Sequence, residues 1–411
     1  MLTRRKLIKR LSAVPVLGGL IGGALPLESA FASEVAKVPA RDVLKELGLR
    51  TFINAAGNYT AMTASIMPDE VLAAIQTSSQ EYVMLEEVQD KVGEKIAALV
   101  HAEAAMVTAG CWSALVLGTA GVLTGMDQKK VSQLPRLEGT GMKSEVIVQK
   151  GHNTGYVHAL TNTGVSIVEI ETLEEAEKAI NEKTAMMWFL NTASLLGKIQ
   201  HAEWVALAKK HSIPTMIDIA ADVPPVENLW KFNELGFDLV CISGGKAMRG
   251  PQSAGILMGK KELIAAARLS APPRGGNIGR GMKVNKEEMI GMYVAVERFV
   301  NMDHVKERKM WDERVAEIEG KLKTVAGVTT EMYLPPIANH VPTVKITWDN
   351  TKIKLTRKDL VENLRKGNPS IEVVPGGGDL PSIDVTVFML KPGQDKIVAA
   401  RIKEELTKAL V

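Results

Sequence analysis

Short apolar runs alternate with amphipathic stretches through the middle of the chain. The apolar runs predict strands that are buried on both faces, and the amphipathic stretches predict helices that cover them. The predicted strands are 104–108, 145–149, 165–170, 185–190, 215–219 and 238–242. The predicted helices begin at Pro68-Asp69 and span 89–100, 173–181 and 202–210. This order predicts an α/β fold with a mainly parallel sheet, whose ligands bind beyond the carboxyl ends of the strands.

The last third of the chain has a different pattern. Residues 285–324 contain no proline and only two glycines, with the charges on one side of the helical period, which predicts one long connecting helix. After it, the pattern predicts a strand over 341–348, a helix over 356–366, strands over 371–374 and 383–390, and a helix over 394–410. This β-α-β-β-α order indicates a small C-terminal domain.

The N-terminus has the pattern of an export signal. The pair Arg4-Arg5 opens a basic start, a weakly apolar run follows from Leu11 to Leu25, and Ala30-Phe31-Ala32 fits a cleavage site. The paired arginines indicate the twin-arginine export machinery, and thus a periplasmic or secreted protein. The predicted domain boundaries are listed from the N-terminus: signal peptide 1–32, N-terminal segment 33–66, large domain 67–284, connecting helix 285–325 and small C-terminal domain 326–411.

The charge and the cysteine and histidine content of the chain argue against some classes of function. Loss of residues 1–32 removes five basic residues and one acidic residue, which lowers the formal net charge from +3 to −1. A near-neutral mature chain lacks the electrostatic signature of a nucleic-acid binder, so no nucleic-acid partner is expected. The two cysteines, Cys111 and Cys241, are expected to be packed thiols. No metal site is expected, since His152 and His158 do not share a helical face.

One lysine and one aspartate lie at the carboxyl ends of predicted strands, where a ligand is expected. Lys246 comes after an apolar strand and Ser243-Gly244-Gly245, where it can form a Schiff base with an aldehyde. Asp218 ends another strand 28 residues earlier, about one βαβ unit away. A solvated loop lysine and a helix-capping aspartate are the alternatives. Together, the two residues fit a pyridoxal phosphate (PLP) site, because such sites place a carboxylate against the pyridine nitrogen.

Two further segments are weaker signals. Thr108 to Ser113 turns from a strand through Gly110 into an apolar helix, which is suited to an anion but is also a common kind of turn. His152 follows the strand 145–149, and either a ring lying against a cofactor or a hydrogen-bonded surface histidine fits that position.

Four separated motifs resemble one known family. They are Ser243–Gln252 (SGGKAMRGPQ), Val148–His152 (VQKGH), Ile53–Gly57 (INAAG) and Ile278–Glu288 (IGRGMKVNKEE). They are similar to the selenocysteine-synthase-like group of fold-type-I PLP-dependent enzymes. Within that group they are closer to the D-glucosaminate-6-phosphate ammonia-lyase branch than to the tRNA-acting synthase. The resemblance spans residues 51–299, and a looser similarity continues over the C-terminal domain.

The resemblance implies a role for each matching residue. Lys246 would be the Schiff-base lysine, Asp218 the pyridine partner and His152 the ring-stacking group. Gly110, Cys111 and Ser243 would hold the cofactor phosphate. Residues near the substrate, some of them across a homodimer interface, would be Asn54, Arg249, Arg280 and Lys283. The chain departs from the family at Cys111-Trp112, where small residues are usual, and after Asp218, where the run Ala220-Ala221-Asp222 lacks the family's acidic pair.

These residues predict a PLP-dependent lyase that removes the α-proton of an amino acid or amino-sugar acid and expels a β-substituent. Racemisation, aldol cleavage and transamination start from the same complex and stay open, although the strand 383–390 lacks the arginine that aminotransferases of this fold often use. Selenium transfer to seryl-tRNA is disfavoured, because little sequence precedes the Asn54 motif, the mature charge is acidic and export would separate the protein from tRNA. A PLP-binding protein without catalysis is the non-enzyme alternative.

Overall fold

The computed structural model describes residues 41–411. The predicted signal peptide therefore lies outside the described residues. Two compact units are distinguished, ending at Thr51 and Val411. The described part of the first unit contains the helix Val43–Glu46, which begins after Asp42, whose side chain accepts a hydrogen bond from the Lys45 amide. The second unit, Phe52–Val411, contains the elements that follow.

The strands of the second unit are numbered along the chain: β1 Ile53–Asn54, β2 Ala104–Thr108, β3 Glu145–Gln149, β4 Ser166–Ile170, β5 Thr184–Leu190, β6 Thr215–Asp218, β7 Leu239–Ser243, β8 Gly255–Gly259, β9 Val328–Tyr333, β10 Thr343–Trp348, β11 Ile371–Glu372, β12 Val374–Pro375 and β13 Ser382–Thr386. Its α-helices are Asp69–Ser78, Leu85–Leu99, Gly110–Thr124, Gln128–Gln133, His158–Thr161, Leu173–Ala179, His201–Lys210, Asn228–Leu235, Lys261–Leu269, Lys286–Asn301, His304–Leu322, Arg357–Lys366 and Gln394–Lys408.

A seven-stranded sheet forms the centre of the second unit, in the order β2-β8-β7-β6-β5-β3-β4. Only β8 is antiparallel to its neighbours, β2 and β7. The six strands predicted here are confirmed, each to within one residue at either end. β8 is the addition, since it is short, begins and ends with glycine, and is not preceded by a helix after β7. The predicted α/β class, with a mainly parallel sheet, is confirmed.

Helices cover both faces of this sheet and enclose two apolar clusters. One cluster contains Phe189, Trp204 and Ile217, and the other contains Leu117, Trp188 and Met216. The helix Gly110–Thr124 belongs to the second cluster and is apolar on all sides, as expected for a helix inside the protein. Its amino end therefore has a fixed place against the sheet.

The prediction of one connecting helix over 285–325 is wrong. Two helices, Lys286–Asn301 and His304–Leu322, occupy this segment. Asp303 separates them because its side chain accepts a hydrogen bond from the Lys306 amide and thereby begins a new helix.

The C-terminal strands form an antiparallel sheet in the order β12-β13-β10-β9, with its own apolar core around Trp348 and Ile383. The predicted β-α-β-β-α order is confirmed with three differences: β9 is additional, the strand predicted over 371–374 is two short strands, β11 and β12, in different sheets, and β13 ends at Thr386 rather than at 390. β9 is largely exposed, so it lacks the apolar pattern that predicts a strand. β1 pairs in parallel with β11, which ties the chain's early residues to this end of the molecule. The remaining domain boundaries stay a prediction. No helix among residues 41–411 is long and apolar enough to cross a membrane.

Candidate active site

A cavity of about 770 Å³ lies at the carboxyl ends of β6 and β7, where the parallel arrangement predicts a ligand. Its lining comes from the sheet edge, the amino end of the helix Gly110–Thr124 and loops from both ends of the second unit. The lining residues are Asn58, Tyr59, Thr60, Ala109, Gly110, Cys111, Trp112, Leu115, Tyr156, Leu190, Thr192, Asp218, Ala220, Ala221, Asp222, Ser243, Lys246, Gln252, Ser253, Ala338 and Asn339.

Lys246 reaches this cavity on a tightly packed loop. β7 ends at Ser243, and the Gly244 amide then donates a hydrogen bond to the Ala254 carbonyl oxygen at 2.9 Å. A Cβ atom at Gly245 would lie 2.4 Å from the backbone Cα of Gln252, so only glycine fits there. The glycines before the lysine therefore let the chain turn against its neighbour and hold the amine at the sheet edge.

Asp218 is the last residue of β6 and is only 3% exposed. Its Oδ1 accepts a hydrogen bond from the Ala220 amide at 2.9 Å and one from the Cys111 thiol at 3.6 Å. Burial raises the pKa of the Asp218 carboxyl, and the Ala220 amide, the Lys246 ammonium group and the Cys111 thiol oppose that rise. A positively charged ligand atom in the cavity would likewise favour the carboxylate form.

The turn into the helix Gly110–Thr124 lies at the same cavity. Gly110 has φ +79°, and the Thr108 hydroxyl donates a hydrogen bond to its carbonyl oxygen at 2.9 Å. β8 passes so close that a Cβ atom at Gly255 would lie 2.5 Å from the Gly110 carbonyl carbon. The helix thus begins at the cavity with its positive dipole end, which suits an anion such as a phosphate.

The departure from the family at Cys111-Trp112 lies inside the cavity lining. Burial, with the neighbouring Asp218 carboxylate, raises the pKa of the Cys111 thiol, so this group stays neutral. Trp112 is 41% exposed and lines the cavity rather than packing behind it. The indole therefore narrows the space open to a ligand.

His152 does not line this cavity. Its ring is fully buried, edge-on to Phe189 with 4.4 Å between ring centroids, and its Nδ1 accepts a hydrogen bond from the Leu190 amide at 3.2 Å. Burial lowers the pKa of His152 to about 4, so the ring is neutral. A Cβ atom at Gly197 would lie 2.8 Å from Nε2. These contacts bury the His152 ring beside Phe189 of β5, outside the cavity lining, and its ring-stacking role stays a prediction.

The four residues predicted near the substrate do not line the cavity either. Arg280 and Lys283 are exposed, and Arg249 donates a hydrogen bond from Nε to the Ile66 carbonyl oxygen at 2.8 Å. Asn54 holds a turn, because its Oδ1 accepts hydrogen bonds from the amides of Ala56 and Gly57. Asn54 is therefore a positioning residue for the loop that carries Asn58, Tyr59 and Thr60 into the cavity.

Asp222 is a second buried carboxyl group in the lining, and sequence reasoning gave it no role. It is 1% exposed, and its Oδ2 accepts a hydrogen bond from Asn191 Nδ2 at 2.9 Å. Asn191 Oδ1 in turn lies 2.6 Å from Nε2 of His201, whose pKa burial lowers to about 4, so the neutral ring donates. Burial, with the like charge of Asp218, raises the pKa of Asp222 to about 7.

Other cavity residues also lack a sequence signal of their own. Asn339 comes from a loop between β9 and β10, and its amide donates a hydrogen bond to the Ala221 carbonyl oxygen at 2.7 Å. Tyr156 and Thr192 lie on short 3₁₀ helices after β3 and β5. Their position after a strand is the only feature of the sequence that could have indicated them.

The residues that the structure brings together fit PLP. The cavity combines the Lys246 amine, a carboxylate that is buried at the sheet edge in Asp218, and a glycine turn at a helix amino end near Ser243. These are the groups needed to bind an aldehyde, a pyridine nitrogen and a phosphate. Among residues 41–411, no group of three or more His, Cys, Asp or Glu side chains is placed to hold a metal ion.

Comparisons with known proteins give the same class. An aminotransferase class-V family model matches residues 141–289. The chain is 26% identical to the D-glucosaminate-6-phosphate ammonia lyase of Salmonella typhimurium, over 88% of this chain and 97% of that protein. It is 23% identical to the L-seryl-tRNA(Sec) selenium transferase of Clostridium botulinum, over 88% of this chain and 76% of that protein.

Solved structures share the fold. A D-glucosaminate-6-phosphate ammonia-lyase structure superposes with a TM-score of 0.78 at 24% identity, over 90% of this chain and 99% of the other. A serine palmitoyltransferase from S. paucimobilis, solved with bound PLP and myriocin, gives a TM-score of 0.55 at 15% identity, over 86% and 87% of the two chains. The fold is that of fold-type-I PLP-dependent enzymes, and the chain is a PLP-dependent enzyme of this class. The resemblance to the selenocysteine-synthase-like group, on the side of the ammonia-lyase branch, is confirmed.

Proposed function

We propose that this protein is a PLP-dependent lyase, which removes the α-proton of an amino acid or amino-sugar acid and expels a β-substituent. One observation carries the proposal: Lys246 and Asp218 line the same cavity at the ends of adjacent strands. The similarity to an ammonia lyase over nearly the whole of that protein's length supports this reaction class.

Different cavity residues would hold different parts of the cofactor. Lys246 would bind its aldehyde carbon, Asp218 its ring nitrogen, and Gly110, Cys111 and Ser243 its phosphate. When bound, PLP supplies an electron-withdrawing ring that stabilises negative charge at the substrate α-carbon. Within the described part of the chain, Lys246 is the only lysine or arginine in the lining. Its amine, freed when a substrate binds, would be placed to accept the α-proton.

A substrate screen tests the reaction class. Purified protein with PLP is offered D- and L-amino acids and amino-sugar acids, and keto acid, ammonia and exchange of the α-proton with solvent are measured. The proposal predicts product release together with exchange for at least one substrate. Exchange without product release indicates racemisation, and exchange in no substrate contradicts enzymatic turnover at this site.

Asp222 gives the enzyme a pH dependence. Because its pKa lies at about 7, the cavity gains a negative charge beside Asp218 and Lys246 as the pH rises through that value. Extra negative charge weakens binding of an anionic substrate, by about tenfold for a charge in a partly buried site. We expect kcat/KM to fall above pH 7 and expect this fall to be absent in Asp222→Asn. A pH profile with the same fall in both proteins would assign the titration to another group.

We also propose that the enzyme is exported through the twin-arginine machinery and acts as a homo-oligomer. The Arg4-Arg5 pair supports export. Two adjacent leucines on the segment that follows β5, Leu195 and Leu196, support a subunit contact, because their side chains are 71% and 72% exposed. Cell fractionation of the wild type and of the Arg4→Lys, Arg5→Lys double variant tests export, which the variant should lose. Light scattering tests assembly, and a monomeric mass would contradict it.

A further inference from the structure

A second cavity, of about 310 Å³, adjoins the candidate active site. The two cavities share five lining residues, Asn58, Tyr59, Thr192, Ala338 and Asn339. Apart from Ala56 and Gly57, the rest of the second cavity comes from the C-terminal end of the molecule, through residues such as Tyr333, Asp384 and Thr386. A substrate held near Lys246 can therefore extend its distal part toward the C-terminal strands. At roughly 30 Å³ per water molecule, this volume is ample for a short hydroxylated chain.

Three buried polar atoms that line the second cavity have no hydrogen-bond partner among residues 41–411. Asn58 Nδ2, Asp384 Oδ1 and Thr386 Oγ1 are buried and form no hydrogen bond with any of residues 41–411. Asn58 and Thr386 are only 7% and 6% exposed. Buried polar atoms without a partner are costly, and three of them around one cavity point to a ligand that supplies the missing hydrogen bonds.

The charge of the cavity lining restricts the chemical class of ligand that the cavity can bind. Its lining contains one charged side chain, Asp384, and neither lysine nor arginine nor histidine, within the part of the chain that the structure describes. Lys345, the cross-strand partner of Asp384, and a hydrogen bond from Tyr333 both favour the Asp384 carboxylate, but Lys345 is not part of the lining. A lining that presents a carboxylate and no cation disfavours a phosphate, whereas the carboxylate accepts hydrogen bonds from hydroxyl groups.

We propose that this second cavity is the subsite for an uncharged polyhydroxylated tail of the substrate, so that the enzyme acts on an amino-sugar acid without a phosphate group. The Asp384 carboxylate accepts hydrogen bonds from the tail hydroxyls, and the Thr386 hydroxyl accepts hydrogen bonds from them or donates to them. The Asn58 amide nitrogen donates hydrogen bonds to the tail hydroxyls. This inference rests on the proposed lyase function. It separates this protein from the relative whose name specifies a 6-phosphate substrate.

The first experiment measures binding without turnover. D-gluconate carries the hydroxylated tail but no amino group, and 6-phosphogluconate adds the phosphate. Calorimetry with the purified protein should show gluconate binding at least about tenfold more tightly than 6-phosphogluconate, since a cation for the phosphate is missing from the lining. Equal or tighter binding of 6-phosphogluconate, or no binding of gluconate, overturns the subsite.

The second experiment uses two variants that keep the shape of the cavity, Thr386→Val and Asp384→Asn. With D-glucosaminate as substrate, each should raise KM about five- to tenfold, the effect of one lost hydrogen bond, and leave kcat nearly unchanged. Asp379→Asn, on an exposed loop of the same domain, is the matched control and should change neither.

The outcomes keep the two proposals apart. Gluconate binding that Thr386→Val weakens, without ammonia release from any amino acid, would support the subsite and refute the lyase. Ammonia release with equal KM values for D-glucosaminate in wild type, Thr386→Val and Asp384→Asn would support the lyase and refute the subsite. Since Thr386→Val removes a hydroxyl that lacks a partner, its fold should be at least as stable as the wild type, which a urea unfolding curve checks.

Discussion

Replacing Lys246 with alanine is expected to remove the visible absorption of bound PLP and to lower kcat by about 10²- to 10⁴-fold, the usual contribution of a positioned acid–base group. The physical reason is that Lys246 supplies the only amine in the cavity lining, among the described residues, that can bind the aldehyde and then accept the α-proton. Absorption spectra and single-turnover rates of the purified variant measure both effects.

Lys178→Ala is the matched control for this change. Lys178 is exposed on the helix Leu173–Ala179 and is not part of the cavity lining. The control should keep both the absorption and the rate. A Lys246→Ala protein that stays coloured and active would show that another residue carries the chemistry.

The Asp218→Asn variant is expected to retain PLP and to lose roughly 100-fold or more in kcat. An amide cannot stabilise a protonated pyridine ring, so the ring would withdraw fewer electrons from the substrate α-carbon. The cavity would otherwise keep its shape, since asparagine has nearly the size of aspartate. The measurement compares cofactor content with the rate of α-proton exchange.

Comparing the cofactor content of Asp218→Asn with its reaction rate separates a chemical effect of the substitution from a loss of structure. A variant that loses both in parallel would indicate a collapsed cavity, and circular dichroism with thermal unfolding detects that case. Asp379→Asn again serves as the control, because Asp379 lies on an exposed loop of the C-terminal domain. Full activity in Asp218→Asn would remove this carboxylate from the site.

The sequence predicted the central sheet well, because its parallel strands are apolar along their whole length and are separated by amphipathic helices. It missed β8, because this short Gly-Ile-Leu-Met-Gly strand follows a loop rather than a helix and runs antiparallel between β2 and β7. The break between Lys286–Asn301 and His304–Leu322 was also missed. Asp303 is a good N-cap residue, but the charged pattern on both sides of it continues with the same period.

The site was predictable to the extent that it lies at strand ends. Asp218 and Ser243 end strands, Gly110 and Lys246 follow strands, and the parallel arrangement brings all four to one cavity. His152 also follows a strand, yet its ring turns into the protein interior. The sequence gives the position of a residue along the edge, whereas the side on which its ring packs depends on partners that are distant along the chain.

The roles of Asp222 and of the second cavity could not be predicted from the sequence either. The role of Asp222 depends on Asn191 and on its distance from Asp218, neither of which follows from local sequence. Asp384 and Thr386 lie more than 130 residues after Lys246 and reach the substrate region only because the C-terminal strands fold back beside the Asn58 loop.

Chemical trapping of the cofactor tests the site most directly. Borohydride reduction of the PLP-loaded protein makes the link between cofactor and lysine permanent, and peptide mass spectrometry then locates the modified residue. We predict a single pyridoxyl group on Lys246, whose amine shares the cavity with the Asp218 carboxylate. Modification of a different lysine, or none at all in a protein that contains PLP, would contradict this account of the active site.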